Sequence, residues 1–167
     1  TGWLSSQLTL HGTMLALEKE LSRLLDHDFA AVFLGPPDNL QMVHSWSIHK
    51  NEEIDPAPFQ RIATVALQRS TSLLYADMDG QSMRSSLCVP FTEEPTGVVL
   101  VADHRKDAYQ REQLQLLTLL ALQLSVTLRN AQLYEEVQQA KARLEQSQAQ
   151  LIQSSKLTAI GQLAAGV

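Results

Sequence analysis

Cysteine is almost missing from this chain. Cys88 stands alone among 167 residues, which excludes an internal disulfide or a paired-thiol redox motif and fits a reducing, cytoplasmic location. Positive charge is also short: 13 Lys and Arg against 18 Asp and Glu leave a net charge of -5, which argues against nucleic acid as a partner. The longest purely apolar run, residues 98–102, falls far below the roughly 20 residues needed to cross a bilayer, so no membrane contact is expected from this segment. No glycine-rich phosphate loop occurs, so ATP is not expected to bind here. The opening Thr1-Gly2-Trp3 follows neither a basic n-region nor an apolar h-region, and it reads as the start of a piece excised from a longer protein, without a signal peptide. The most telling scarcity is local: from residue 110 to 167 there is no proline, and no glycine before Gly161.

What fills that last third is leucine at three- and four-residue steps, the pattern of one long helix. At 1.5 Å of rise per residue it would span roughly 85 Å, several times what a small domain needs to cover its core. About 110 residues remain for that domain, a workable size, and an apolar content of 44% supplies a core. Residues 3–26 read as an amphipathic helix, with Leu4, Leu8, Met14, Leu17, Leu21 and Leu25 on one stripe. A β-prone run at 29–34 is followed by Gly35-Pro36-Pro37-Asp38-Asn39, a strong turn signal, and by a second strand at 40–48. On that strand Met42, His44 and Trp46 should share one face. Pro58 opens a helix at 59–68, with Phe59, Ile62, Ala63, Ala66 and Leu67 at helical spacing. Strands follow at 71–76, 85–92 and 97–104. Residues 98–102 are apolar on both faces, which predicts a central, doubly covered strand.

This order predicts an α+β fold: an antiparallel sheet of about five strands flanked by helices, with a long C-terminal coiled-coil helix. One sheet face should meet the terminal helices and the other the middle helix and loops. The histidines His11, His27, His44, His49 and His104 lack tight metal-ligand spacing, so no metal site is expected. Asp26-His27-Asp28 and Asp103-His104-Arg105 read as polar ends of strands and helices, not as acid–base pairs.

The run Ser85-Ser86-Leu87-Cys88-Val89-Pro90-Phe91, a tight turn, Gly97 with its apolar strand, and a helix reaching Asn130-Ala131-Gln132-Leu133-Tyr134 together resemble a GAF domain. The resemblance implies a sensory module with a ligand pocket between the sheet and the middle helix. The candidate lining is His44, Trp46, Phe59, Tyr75 and Cys88, and the ligand, if any, is an unknown small molecule. In bilin-binding relatives a cysteine carries the pigment. Cys88, inside an apolar strand, reads as a packed small hydrophobe. A free-methionine-sulfoxide reductase, also GAF-type, depends on more than one cysteine.

Beyond Tyr134 the positions Leu133, Val137, Ala140, Leu144, Ser147, Leu151 and Ser154 advance by steps of four and three, a heptad seam. Ala140, Ser147 and Ser154 are small or polar, so the seam should hold two parallel helices weakly. The stripe then passes to Leu157, Ile160, Ala164 and Val167. The step from Leu151 to Leu157 is six residues instead of seven, which breaks the register. The stretch 154–167 closely resembles the opening of the dimerisation and phosphoacceptor helix of bacterial sensor histidine kinases, whose histidine would follow directly.

The expected organisation is a GAF sensor domain at 1–134, a coiled-coil signalling helix at 135–155 and the start of a kinase helix at 156–167. As a whole this implies the sensory and dimerisation region of a cytoplasmic two-component histidine kinase. It would be a parallel homodimer with no catalytic residue and no cofactor of its own. ATP, Mg and a cognate response regulator belong to the parent kinase. The alternatives are a ligand-free GAF dimerisation module or a cofactor-binding GAF chromoprotein.

Overall fold

The computed structural model of the chain describes residues 2–166, with side chains from Thr9 onward. The side chains of Leu4 and Leu8, and all of Val167, lie outside the described residues. The elements run α1 (Gly2–Leu24), β1 (Phe29–Leu34), a short 3-10 turn (Pro37–Asn39), β2 (Gln41–Ser47), α2 (Ala57–Arg69), β3 (Leu73–Tyr75), β4 (Ser85–Phe91), β5 (Gly97–Asp103) and α3 (Arg111–Ala165). Each expected helix and strand is present, and the third strand is shorter than the expected 71–76.

The five strands form one sheet in the order β2-β1-β5-β4-β3, antiparallel throughout. All seven residues of the apolar strand β5 are buried, at the centre of the sheet, as a strand without a polar face requires. At its start Gly97 lies where a Cβ would collide with the Phe33 carbonyl oxygen and the Phe91 ring. Only glycine lets β1 and β5 approach there.

The pleat sends alternate residues to two cores. Ala30, Val32, Leu87, Val89, Val99 and Val101 face α1 and the first turns of α3, where Met14, Leu17, Leu21, Leu117, Leu120, Leu124 and Leu128 cover them. Phe29, Phe33, Cys88, Val98 and Leu100 face α2, which contributes Phe59, Ile62, Ala63, Ala66 and Leu67. Burying each large side chain contributes about 1.5–3 kcal/mol before the cost of chain entropy, so both faces are needed to hold the sheet.

The helix α3 starts where the Gln113 side chain accepts the Gln110 backbone N–H at 2.8 Å. It then runs unbroken for 55 residues, roughly 80 Å at the usual rise. Its buried residues end at Leu128. No helix among the described residues is long and apolar enough to cross a membrane.

Candidate functional site

Three places in the fold bring chemistry or unpartnered surface together. The first is the space between the sheet and α2. Phe59 is buried there against Phe29, ring centroids 4.9 Å apart, and Cys88 is fully buried in the same cluster. Burial pushes the Cys88 thiol far above its ordinary range, so it packs as an apolar group without thiolate character. Tyr75 lies on the edge strand β3 opposite Ser86, and it is exposed. The five predicted pocket residues do not converge. Trp46 stands opposite Ala30, and His44 opposite Val32, which puts both on the α1 side of the sheet. There the Trp46 indole N–H donates to His27 Nε2 at 2.9 Å and His44 Nε2 meets Glu18 Oε2 at 2.9 Å. Met42 leaves their face as well, because a bulge between Val32 and Phe33 sets it opposite Phe33. The α2 side itself is occupied by Phe29, Phe33, Leu40, Phe59, Met83 and Leu100. Among the described residues, the hydroxyls of Ser86 and Tyr109 are the buried side-chain polar atoms without a hydrogen-bond partner.

The second place is a polar cluster where three strands end. Asp28 continues the sheet one residue before β1. Its N–H donates to Ala102 O, and its carbonyl accepts from Ile48 N–H, both at 3.0 Å. Its carboxylate therefore meets residues just past β2 and just past β5. Oδ2 accepts the His104 backbone N–H at 2.9 Å and lies 2.7 Å from His104 Nδ1. Oδ1 is 3.4 Å from His49 Nε2. The remaining ring nitrogen of His104, Nε2, is 2.9 Å from Glu52 Oε1. Burial disfavours the charged form of Asp28, yet the hydrogen bonds from His104 and its charge hold the carboxyl below its ordinary range. Glu52 and then Asp28 raise His104 above the ordinary imidazole value.

The third place is the outer surface of the helices. Between α1 and α3 runs a groove of about 360 Å³ lined by residues such as Gly12, Ala16, Leu17, Leu120 and Leu124. Beside it Leu119, Leu122 and Val126 of α3 are exposed, and farther along so are Leu133, Val137, Leu144 and Leu151. Ala140, Ser147 and Ser154 are exposed too. The steps from Leu119 to Leu151 are three, four and seven residues, so these apolar side chains make one line along α3. Leu157 and Ile160 are also exposed, as is Ala164. The six-residue step before Leu157 turns the stripe about a third of a turn away from that line.

A family model described as a GAF domain matches residues 10–130. The chain belongs to the GAF domain family. Its fold is similar to that of the GAF domain of a two-component sensor histidine kinase from Bacillus halodurans, at 17% identity, covering 75% of this chain and 97% of that one, with a TM-score of 0.58. It is similar too to a type II free methionine-R-sulfoxide reductase from Thermoplasma acidophilum, at 14% identity, covering 75% and 95%, TM-score 0.58. GAF3 from Slr1393 of Synechocystis, in its photoproduct state, is another likeness, at 20% identity, covering 80% and 99%, TM-score 0.57. No curated protein matches the chain. At such identities the shared property is the GAF fold itself, which hosts unlike functions.

Within this GAF domain the strand-end cluster is what the sequence did not reveal. Asp28 and His104 are 76 residues apart, and His104 and Glu52 are 52 apart. The available signal was positional, since both Asp28 and His104 lie within a residue of a β-prone run. Which strand ends lie side by side is decided by sheet order.

Proposed function

We propose that this chain is the sensory input and dimerisation region of a two-component histidine kinase. In this reading it works as a parallel homodimer, in the cytoplasm, and controls autophosphorylation of an ATP- and Mg-dependent parent that passes phosphate to a response regulator. The observation that carries the reading is the single line of exposed apolar residues on α3. It begins at Leu119, on turns whose opposite side closes the GAF core at Leu117, Leu120 and Leu124. It continues past Leu128 through Val137, Leu144 and Leu151, all of them exposed, beyond the last buried residue of the helix among the described residues. A rigid helix shared by core and seam couples them mechanically. Any change in how α1 and α3 pack on the sheet would rotate or shift the seam, provided the stimulus binds the two arrangements with different affinity. Alanine and serine at alternate seam positions support small differences between such arrangements. The register break before Leu157 gives the line a place to end and the kinase helix, 156–167, a place to begin.

The test is disulfide cross-linking of single-cysteine variants made in a Cys88→Ala background. Leu144→Cys and Leu151→Cys should each give rapid, same-site dimers. Monomers, or cross-links that form only between Leu133→Cys and Leu151→Cys, would remove the parallel relay.

A second reading, a GAF domain that serves dimerisation without a ligand, is favoured by the side chains that fill the space under α2. Native mass spectrometry separates the two. A bound small molecule, or a colour in the purified protein, would point away from a filled, silent domain.

A further inference from the structure

We propose that Asp28, His49 and His104 form a site for a divalent transition-metal ion of the zinc type, with Glu52 holding His104 in the ligating tautomer. Ligand atoms of the three residues all lie within 4.8 Å of one another. Around a tetrahedral ion with bonds of about 2.0–2.2 Å, ligand atoms sit roughly 3.3 Å apart. Asp28 Oδ1 and His49 Nε2 are already at 3.4 Å. His104 Nδ1 now lies 2.7 Å from the other oxygen of the same carboxylate, Oδ2, so turning the part-exposed carboxylate and imidazoles would bring one oxygen and the two ring nitrogens to that spacing.

Glu52 stands where the carboxylate partner of a ligating histidine would be. A ligating histidine almost always donates its other N–H to a carboxylate or carbonyl, which fixes the tautomer and strengthens the ligand. His104 Nε2 faces Glu52 Oε1 at 2.9 Å, and this leaves Nδ1 to bind the ion. His49 is the second indication. His104 meets Oδ2 of Asp28 and Oε1 of Glu52, and His49 Nε2 stands 3.4 Å from the oxygen of Asp28 that His104 leaves, Oδ1. A metal ion uses both ring lone pairs and the carboxylate at once. Two imidazoles and one carboxylate suit zinc or its neighbours better than magnesium or calcium, which favour all-oxygen sets. Three protein ligands leave a fourth position for water.

The backbone supports the site. Asp28 is fixed by ladder hydrogen bonds to Ala102 and Ile48, and the His104 N–H is held by Asp28 itself. An ion there would tie the loop that carries His49 and Glu52 to the ends of β1 and β5.

The experiment titrates the tag-free chain with zinc chloride by calorimetry, and with cobalt(II) by visible absorption. One equivalent should bind in the micromolar range or tighter, raise the thermal midpoint, and give the intense cobalt bands of a low-coordinate site. His49→Ala, the most exposed of the three, should keep the far-UV circular dichroism and lose at least tenfold in affinity. Glu52→Gln should lose roughly 10–100-fold. Absence of saturable one-equivalent binding overturns the proposal. So does zinc affinity unchanged in both His49→Ala and His104→Gln, which would locate the ion elsewhere.

Discussion

The two parts of α3 are chemically alike and physically opposite. Leu117 and Leu124 are buried against the sheet, whereas Leu144 and Leu151 on the same helix are 60% and 67% exposed. Leucine at helical spacing reads identically in both stretches. In the first the domain supplies the cover, and in the second nothing among the described residues does. An isolated helix gains little from propensity alone, so in a single chain the exposed leucines add little to the stability of the distal part. The difference teaches that a hydrophobic stripe states a need for burial but not who meets it.

The sharpest way to break this contrast is truncation in each part. Leu117→Ala should cost about 2–5 kcal/mol in urea unfolding, because it opens a hole between α3 and β-strand side chains. Leu144→Ala at a concentration where the chain is monomeric should stay within about 0.5 kcal/mol. Equal losses would mean that the distal helix folds back on its own domain.

Next in size is association. Leu144→Glu should weaken the proposed dimer about 10–100-fold by sedimentation equilibrium, equivalent to about 1.4–2.8 kcal/mol, and leave the unfolding of the GAF core unchanged. If dimerisation rests instead on the α1–α3 groove and Leu119, Leu122 and Val126 alone, Leu144→Glu will have no effect and Val126→Glu will.

A pH measurement sharpens the domain side. Asp103, buried at the end of β5, receives the Arg105 guanidinium at 2.7 and 2.9 Å and its backbone N–H at 2.8 Å. The Arg105 hydrogen bond, working against desolvation, holds the carboxyl below its ordinary value. A depressed carboxyl stabilises the fold above the unfolded pKa, about 3.9, and that contribution fades as pH falls through the folded value. Asp103→Asn should therefore cost about 1–2 kcal/mol at pH 7, reduced because the guanidinium is exposed. The gap to wild type should narrow as pH falls toward 3, read by near-UV signals of the domain. A gap that stays constant with pH would assign the loss to packing.

The smallest effect expected is a gain. Ser147→Leu should tighten the proposed dimer by about 1 kcal/mol in all and make the proposed relay less responsive to its stimulus. Unchanged affinity would place Ser147 off the seam.

Much of the fold was legible because local patterns carry it. The Gly35-Pro36-Pro37-Asp38-Asn39 turn placed the β1–β2 hairpin, and the run 98–102 had no polar face to leave in water, so it had to be central. The candidate pocket was less legible. His44 and Trp46 do share a face, as their spacing required, but that face turned to α1, away from Phe59 and Cys88, since alternation says which residues agree and not which way they point. The bulge that removes Met42 from the set is a backbone irregularity without a glycine or proline to announce it.

By itself the sequence determined the period of each element and the uninterrupted length of α3, because side-chain alternation and the scarcity of proline and glycine act within a few residues. Only the tertiary structure decided which sheet face each stripe meets, and that Asp28, His49, Glu52 and His104 stand together. Those meetings depend on the order β2-β1-β5, which is chosen by packing the whole chain at once and leaves no local mark on any one of the four residues.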